Sequence, residues 1–202
     1  MAENTQGEKE KIIIDAARKR FGRYGFSKVT MDEIASDVEL GKASLYYYFP
    51  TKESIFNQVI SEEQNELANE IETIISKNIP SSEKLMEYVK VRINFFQKLV
   101  NLGTLSVHSF YDSKSIYKKL FSEFEAKEFG FMQTILNEGI KKGEFRKDLD
   151  KETPPVLLHI LQGLRLRVLK KYKEIELDEK VIKDLQKEMH IAFTMIINGI
   201  LK

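Results

Sequence analysis

The chain of 202 residues contains no cysteine and no tryptophan, and it has only 4 prolines and 10 glycines. Without cysteine it can form neither a disulfide framework nor a thiolate metal site. Its first residues lack the apolar segment of a secretory signal. The longest apolar stretch, from Ile191 to Leu201, is too short and too interrupted to span a bilayer. We therefore expect a cytoplasmic protein that does not associate with membranes.

The chain also lacks a surplus of charge, because 32 basic residues stand against 31 acidic ones. Such a sum can hide a local patch. Between residues 18 and 28 there is no acidic residue, and the basic ones are Arg18, Lys19, Arg20, Arg23 and Lys28. A cluster of this kind is typical of a phosphate-binding surface. The alternative is an ordinary solvated helix face.

Apolar residues recur every three to four positions along most of the chain, and no alternating strand pattern is present. The sequence therefore predicts an all-α fold of about nine helices. Gly25 ends the first helix, the Thr-x-x-Glu capping box at Thr30 begins the second, and Pro50 follows the third. The predicted helices span residues 7–24, 31–38, 42–49, 52–78, 82–100, 115–142, 150–172 and 178–201, with a further short helix between 102 and 113.

The second and third predicted helices form a helix-turn-helix pattern, because both are short and only Glu39-Leu40-Gly41 separates them. In that motif the second helix enters the major groove of DNA and presents its first residues to base edges. Lys42 and Ser44 stand at the front of this helix, and three tyrosines follow. The tyrosines either contact DNA or are core and surface aromatics of a plain helical bundle.

A longer pattern surrounds the motif. The segment TMDEIASDVELGKASLYYYFPTKESI runs from Thr30 to Ile55, and Ala16-Ala17, Phe21 and Gly25-Phe26 precede it. This pattern resembles the TetR family of bacterial transcriptional regulators. The similarity covers about residues 10 to 60, and beyond them only the helix lengths and the helical ending agree.

The resemblance implies a ligand-responsive transcriptional regulator, most simply a repressor, that binds double-stranded operator DNA as a homodimer and is released by an unknown small-molecule effector. It implies a helix-turn-helix domain over residues 1–51 and a larger helical domain for regulation and dimerisation over residues 52–202. The last two helices of each chain would form a four-helix bundle with those of the partner.

The resemblance also implies which residues meet DNA. Thr30, Tyr46 and Lys52 would reach phosphates. Lys42, Ala43 and Ser44 would face base edges or the adjacent backbone. Tyr47 and Tyr48 would lie against bases or sugar-phosphate.

The turn of the motif departs from the family's usual Gly-Val-Ser. Glu39 occupies the position where the family usually has glycine, and a positive φ at this residue would cost roughly 1–2 kcal/mol relative to glycine. Gly41 replaces the serine cap, which costs roughly a few tenths of a kcal/mol. Ala43 stands where glycine is common. These differences concern the geometry of docking rather than the presence of the motif.

Charged and polar residues interrupt apolar helix faces in the second part of the chain. A buried charge needs a partner, so these side chains either pair with one another or lie exposed, or else they line a ligand cavity. The aromatics on the same faces are either core or cavity wall. The candidate ligand-binding residues are Tyr88, Arg92, Phe95, Phe121, Phe124, Glu128, His159, Gln162 and Arg165.

Enzyme chemistry has little support in the sequence. None of the three histidines belongs to a His-Glu-x-x-His motif, and Ser36 stands where a phosphate-binding loop ending at Gly41–Ser44 would need glycine. We expect no catalytic residue, no metal and no cofactor. The alternative to a transcriptional regulator is an all-helical interaction protein of the same fold without sequence-specific DNA binding, which the departure at Glu39 favours.

Overall fold

The computed structural model describes residues 2–98, 115–171 and 179–202, and these ranges contain eight α-helices and no strand beyond an isolated bridge. The helices are α1 (Ala2–Tyr24), α2 (Met31–Asp37), α3 (Lys42–Tyr48), α4 (Lys52–Ser76), α5 (Ser81–Lys98), α6 (Ser115–Lys142), α7 (Thr153–Lys171) and α8 (Glu179–Ile200), and a 3-10 turn covers Phe26–Lys28. None of these helices is long and apolar enough to cross a membrane.

The prediction of an all-α fold is confirmed, and most helix ends lie within three residues of their predicted positions. The exception is α1, which begins at Ala2 rather than near Gly7. The short helix predicted between residues 102 and 113 lies outside the described residues.

The described residues form two compact units, one up to Asn65 and the other from Glu66 onwards. Helix α4 contributes its first half to the first unit and its remainder to the second. The division predicted at residues 51 and 52 concerns function, since it separates the DNA-binding motif from the rest, and it stays a prediction.

Three phenylalanine rings hold the first unit together, and we call them the phenylalanine trio. Phe21 of α1 meets Phe56 of α4 edge to face, with 5.2 Å between ring centroids. Phe26 of the 3-10 turn lies 4.8 Å from Phe56 and 5.7 Å from Phe21. Aromatic pairs contribute about 0.5–1.5 kcal/mol beyond the area that they bury. The trio therefore fixes α1, the turn and the start of α4 against one another.

In the second unit α5 packs against α6 and α8, while α7 packs against both α6 and α8. The buried face of α8 follows the helical period, and its members are Val181, Ile182, Leu185, Met189, Phe193, Ile197 and Ile200. The buried ammonium of Lys84 joins the second half of α4 to α5. The ammonium of Lys84 donates to the carbonyl of Ile75 at 2.6 Å and to the carboxylate of Glu138 at 2.8 Å.

The connection between α6 and α7 packs against α6 and pairs with the end of α8. The buried ring of Phe145 lies on Gly139, where any larger residue would collide with it. The backbone N–H of Arg146 donates to the carbonyl of Ile200 at 2.9 Å, which joins this connection to the end of α8.

The same connection caps the first turn of α5 through Glu144. Its carboxylate accepts hydrogen bonds from the backbone N–H groups of Ser81 at 2.7 Å and Ser82 at 2.8 Å, and from the Ser82 hydroxyl. Burial opposes ionisation of Glu144, but these hydrogen bonds outweigh it and hold the pKa of the carboxyl below its usual value of 4.5. The helix dipole favours the same negative charge.

We expect Glu144→Ala to lower the free energy of unfolding by about 1–3 kcal/mol at pH 7, because it removes charge-assisted hydrogen bonds to the end of a helix. A group whose pKa is depressed on folding stabilises the protein above its unfolded pKa and loses that effect as the pH falls through the folded pKa. The difference between wild type and variant should therefore shrink in acid below about pH 4.5. Urea unfolding at several pH values measures it, with the exposed Glu72→Ala as control. A difference that stays constant into acid contradicts this role.

Candidate nucleic-acid interface

The capping box predicted at the start of α2 is confirmed. The Glu33 carboxylate accepts the Thr30 backbone N–H at 2.8 Å, and the Thr30 hydroxyl oxygen accepts the Glu33 N–H at 3.3 Å. The backbone and hydroxyl of Thr30 also lower the pKa of Glu33. This reciprocal pair fixes where the helix-turn-helix begins. Phosphate contact by Thr30 remains a prediction.

The turn between α2 and α3 is a Schellman motif. The Leu40 N–H donates to the carbonyl of Ala35 at 2.9 Å, and the Glu39 N–H donates to the carbonyl of Ser36 at 3.2 Å. Glu39 has φ of 54°, the one positive φ among the described non-glycine residues. A left-handed conformation favours glycine here, so the strain anticipated for a positive φ is present at this position.

Helix α3 is anchored by few contacts and presents most of its side chains to solvent. Leu45 is fully buried and Phe49 nearly so. Tyr47 is 75% exposed, and Tyr48 meets its ring edge to face with 5.3 Å between centroids. The exposed side chains of this helix are Lys42, Ala43, Ser44, Tyr46 and Tyr47. Five of the eight residues predicted to meet DNA therefore form one accessible face.

Two of the predicted DNA-contacting lysines have partners within the first unit. Lys42 forms an exposed ion pair with Asp32 at 2.9 Å, and Asp32 raises the pKa of Lys42. Lys52 donates to the carbonyls of Phe26 at 2.9 Å and Val29 at 2.8 Å, and its ammonium lies 4.4 Å from the centre of the Phe26 ring. Lys52 thus fastens the start of α4 to the 3-10 turn, and its predicted phosphate contact would use its remaining N–H.

The basic cluster between residues 18 and 28 is only partly available. Arg18 pairs with Glu62 at 2.8 Å, and Arg20 donates to Asp37 at 2.7 Å. Acidic residues that are distant in sequence therefore neutralise two of the five cations. Arg20 in turn lowers the pKa of Asp37 and joins α1 to α2. The exposed members of the cluster are Lys19, Arg23 and Lys28.

Sequence analysis missed Lys9, which lies beside the exposed face of α3. This exposed lysine lines a groove of about 350 Å³ together with Leu40, Ala43, Ser44, Tyr47 and Tyr48. Lys9 precedes the segment that carries the family pattern, and helical periodicity cannot say which end of α1 approaches α3. The groove adds a cation to a face that otherwise carries Lys42.

The structure joins some of the candidate ligand-binding residues in the second unit. Tyr88 and Arg92 of α5 both contact Glu128 of α6, at 2.7 Å from the Tyr88 hydroxyl and 2.7 Å from the Arg92 guanidinium. Burial and the charge of Arg92 lower the pKa of Arg165 of α7 to about 10, while the charge of Glu128 acts in the opposite direction. Phe95 and Phe124 are buried.

Other members of the candidate set lie elsewhere. His159 is exposed and meets the ring of Phe129 edge to face at 6.3 Å. Gln162 donates to Glu125 at 3.3 Å. The side chain of Phe121 lies outside the described residues. Exposure is thus the outcome for His159, and pairing with α6 is the outcome for Gln162. Ligand binding by either residue stays a prediction.

Comparisons with known proteins agree with this geometry. Residues 13–59 match the profile of the bacterial regulatory proteins of the tetR family. Residues 70–201 match the profile of the C-terminal region of QacR-like proteins. The two profiles together span both units of the chain.

Three individual proteins illustrate the similarity. A crystal structure of a transcriptional regulator from Cytophaga hutchinsonii is 40% identical, with a TM-score of 0.83 over 95% of this chain and 98% of that one. The helix-turn-helix regulator YhgD of Bacillus subtilis is 23% identical over 78% of this chain and 82% of its own length. The regulator FadR of Bacillus subtilis, solved with stearoyl-CoA, is 19% identical with a TM-score of 0.73 over 94% and 98% of the two chains, which establishes a common fold.

We expect Glu39→Gly to raise the free energy of unfolding by about 0.5–1 kcal/mol. Glycine removes about 1–2 kcal/mol of left-handed strain and loses about 0.5–1 kcal/mol through its greater freedom in the unfolded chain. Glu39→Gln removes the charge but keeps the strained backbone, so it should leave stability unchanged. Urea unfolding of both variants tests this, and equal stabilisation by both would assign the effect to charge instead.

Lys9→Gln should reduce the salt dependence of DNA binding by about one unit in the slope of log affinity against log salt concentration, as expected for one lost phosphate contact. Lys11→Gln is the matched control, because Lys11 lies about 200° around the same helix. Fluorescence anisotropy with a duplex selected by the wild type from random-sequence DNA measures both slopes. Equal slopes for the two variants would remove Lys9 from the interface.

Proposed function

The chain belongs to the TetR family of bacterial transcriptional regulators, and we propose that its α3 helix reads operator DNA in the major groove. Its function is that of a ligand-responsive, DNA-binding transcriptional regulator of the repressor type. A regulator of this kind acts by occupying its operator, so it would work in the cytoplasm. The family is one of regulators rather than of enzymes.

The exposed face of α3 carries this proposal. A helix with Leu45 and Phe49 turned inward but Tyr47 75% exposed keeps a large aromatic in water, where packing gives no reason for it. A tyrosine on that face can contact a base or the sugar-phosphate backbone, and Lys42 can exchange Asp32 for a phosphate or a guanine edge. Thr30, Ala43, Ser44, Tyr46, Tyr48 and Lys52 are proposed to complete the contacts.

We propose that a second copy of the chain covers the apolar surface of α7 and α8. Val156 of α7 is 49% exposed, and Ile191 and Met195 of α8 are 51% and 70% exposed. Ile191 and Met195 are four residues apart and so share one side of their helix. A dimer would carry two α3 helices, as recognition of half-sites about 34–36 Å apart requires.

The effector is proposed to bind within the second unit, whose matching profile is that of QacR-like proteins. One relative of common fold, FadR of Bacillus subtilis, was solved with stearoyl-CoA. Helix α4 runs from the first unit into the second, so it offers a continuous element through which effector and operator can be coupled. An effector would release DNA only to the extent that it prefers the conformer with lower operator affinity. A coupling of about 1–3 kcal/mol corresponds to a 5–150-fold change.

An interaction protein without sequence-specific DNA binding is the second candidate. The observation that favours it is Glu39, whose negative charge is exposed in the turn just before α3. The two candidates differ in one measurable property, namely whether the protein enriches particular sequences from random duplex DNA.

We expect the wild type to enrich a specific duplex and to bind it at least about a thousandfold more tightly than a scrambled one. Tyr47→Ala should weaken that binding by about ten- to a hundredfold with an unchanged circular dichroism spectrum, because one contact to DNA is worth about 1–3 kcal/mol. Tyr24→Ala, which removes an exposed tyrosine from α1, should bind like the wild type. The mass of the complex should correspond to two or more chains.

Absence of any enriched sequence would favour the interaction protein. Enrichment with unchanged affinity of Tyr47→Ala would keep the function but remove this face of α3 from the contact. A complex of one chain per duplex would contradict the proposed dimer.

A further inference from the structure

An exposed ion pair joins the two helices of the helix-turn-helix, and we call it the Asp32–Lys42 pair. The ammonium of Lys42 lies 2.9 Å from one carboxylate oxygen of Asp32 and 3.0 Å from the other. Asp32 belongs to the first turn of α2, and Lys42 is the first residue of α3. Because the first residues of the second helix meet base edges in this motif, the pair lies where DNA would dock.

The backbone on either side of the pair is held by buried neighbours. Met31 and Ile34 fix α2 beside Asp32, and Leu45 fixes α3 one turn after Lys42. The hydrogen-bonded turn between the helices sets their spacing. Exposed ion pairs contribute little to stability. The fold therefore places the two opposite charges side by side, and stability gives little reason for keeping them there.

The other two acidic residues of α2 have their partner in α1. Arg20 lies 3.3 Å from the carboxylate of Glu33 and donates to that of Asp37 at 2.7 Å. Asp32 is thus the acidic residue of α2 whose carboxylate lies beside the start of α3.

The position of Asp32 works against contact between Lys42 and a phosphate. A phosphate that approached the ammonium would also meet the negative carboxylate 2.9 Å away, and like charges repel. Lys42 would have to leave Asp32 to make that contact. Phosphates supply nearly all of the attraction in non-specific binding. Asp32 therefore limits the use of Lys42 on DNA of unrelated sequence.

The intact pair matches a guanine–cytosine base pair. In the major groove guanine presents its O6 as an acceptor, and cytosine presents its N4 amino group as a donor. These two atoms are hydrogen-bonded to each other, so they lie about 2.9 Å apart. The Lys42 nitrogen and the nearer Asp32 oxygen have the same separation, 2.9 Å. Lys42 has a further N–H for O6, and Asp32 has further lone pairs for the second N–H of cytosine.

An adenine–thymine base pair fits these two charges less well. Thymine O4 and adenine N6 also form an acceptor and a donor, but the thymine methyl group then lies beside the ammonium and the adenine N7 acceptor beside the carboxylate. In the guanine–cytosine pair the N7 of guanine is a second acceptor beside the ammonium, and no acceptor lies beside the carboxylate.

We propose that Asp32 is a specificity-determining residue, and that the Asp32–Lys42 pair reads one guanine–cytosine base pair in each half of the operator. Lys42 donates to guanine, and Asp32 accepts a hydrogen bond from the cytosine amino group. This inference rests on the proposed reading of DNA by α3 and names one of the base pairs that it reads. It also gives an acidic residue of α2 a direct part in recognition.

The test selects binding sequences from random duplex DNA with the full-length protein and measures affinities by fluorescence anisotropy. The wild type should require guanine–cytosine at one position of each half-site. Replacing that base pair by adenine–thymine should weaken its binding by about ten- to a hundredfold. Asp32→Ala and Lys42→Ala should each lose most of this preference, at the same position. Glu39→Gln is the matched control, because it also removes an exposed negative charge next to α3 but keeps the pair.

Binding to a scrambled duplex should change in the opposite direction. Asp32→Ala should tighten it by about two- to fivefold, because Lys42 is released from an exposed ion pair. The slope of log affinity against log salt concentration should steepen by about one unit, as for one added phosphate contact. In a Lys42→Ala background, Asp32→Ala should leave this slope unchanged, since the two residues act together. Circular dichroism and the thermal midpoint check that each variant is folded.

Three results would each overturn the inference: an unchanged sequence preference in folded Asp32→Ala, a preference lost at a base pair other than guanine–cytosine, or the same loss in Glu39→Gln. An unchanged salt slope of Asp32→Ala on the scrambled duplex would overturn it as well. If the wild type still enriches a specific duplex in these cases, the proposed function stands and the Asp32–Lys42 pair is structural. If the wild type enriches no duplex, the proposed function itself falls.

Discussion

The helix-turn-helix depends on packing outside itself, because α2 and α3 have seven residues each and helices of that length do not hold together alone in water. The phenylalanine trio meets this need by fixing α1, the 3-10 turn and the start of α4 as one support. Lys52 adds to it by donating to two carbonyls of the segment that leads into α2. The exposed face of α3 can therefore remain almost free of core contacts, and Tyr46 and Tyr47 lie open to solvent there.

Local features of the structure followed from the sequence because their causes are local. Thr30 and Glu33 are three residues apart and cap the same turn, and Gly25 ends α1 with φ of 79°. The buried residues of α8 recur with the helical period that its apolar residues show in the sequence. Contacts between distant residues did not follow from the sequence. Nothing near Arg18 in sequence indicates that it pairs with Glu62, and nothing in α7 alone separates half-buried Arg165 from exposed His159.

The same distinction explains the charges of the first unit. Nine basic and nine acidic residues occur among residues 1–60, and a sum of zero predicts little attraction to DNA. The ion pairs of Arg18 and Arg20 use part of this charge to join helices, and the cations that remain exposed include Lys9, Lys19 and Lys28. Non-specific attraction to phosphate should then be modest, and selectivity would rest on the fit of α3 and on the pairing of two copies.

The strained turn at Glu39 also bears on how this protein can change over generations. Glutamate and glycine codons differ by one base, so the residue that the left-handed backbone favours is one point mutation away. Selection for a more stable protein would therefore have Glu39→Gly available as a single mutation. A single base change could thus relieve the strain in the turn between α2 and α3 without any rearrangement of the fold.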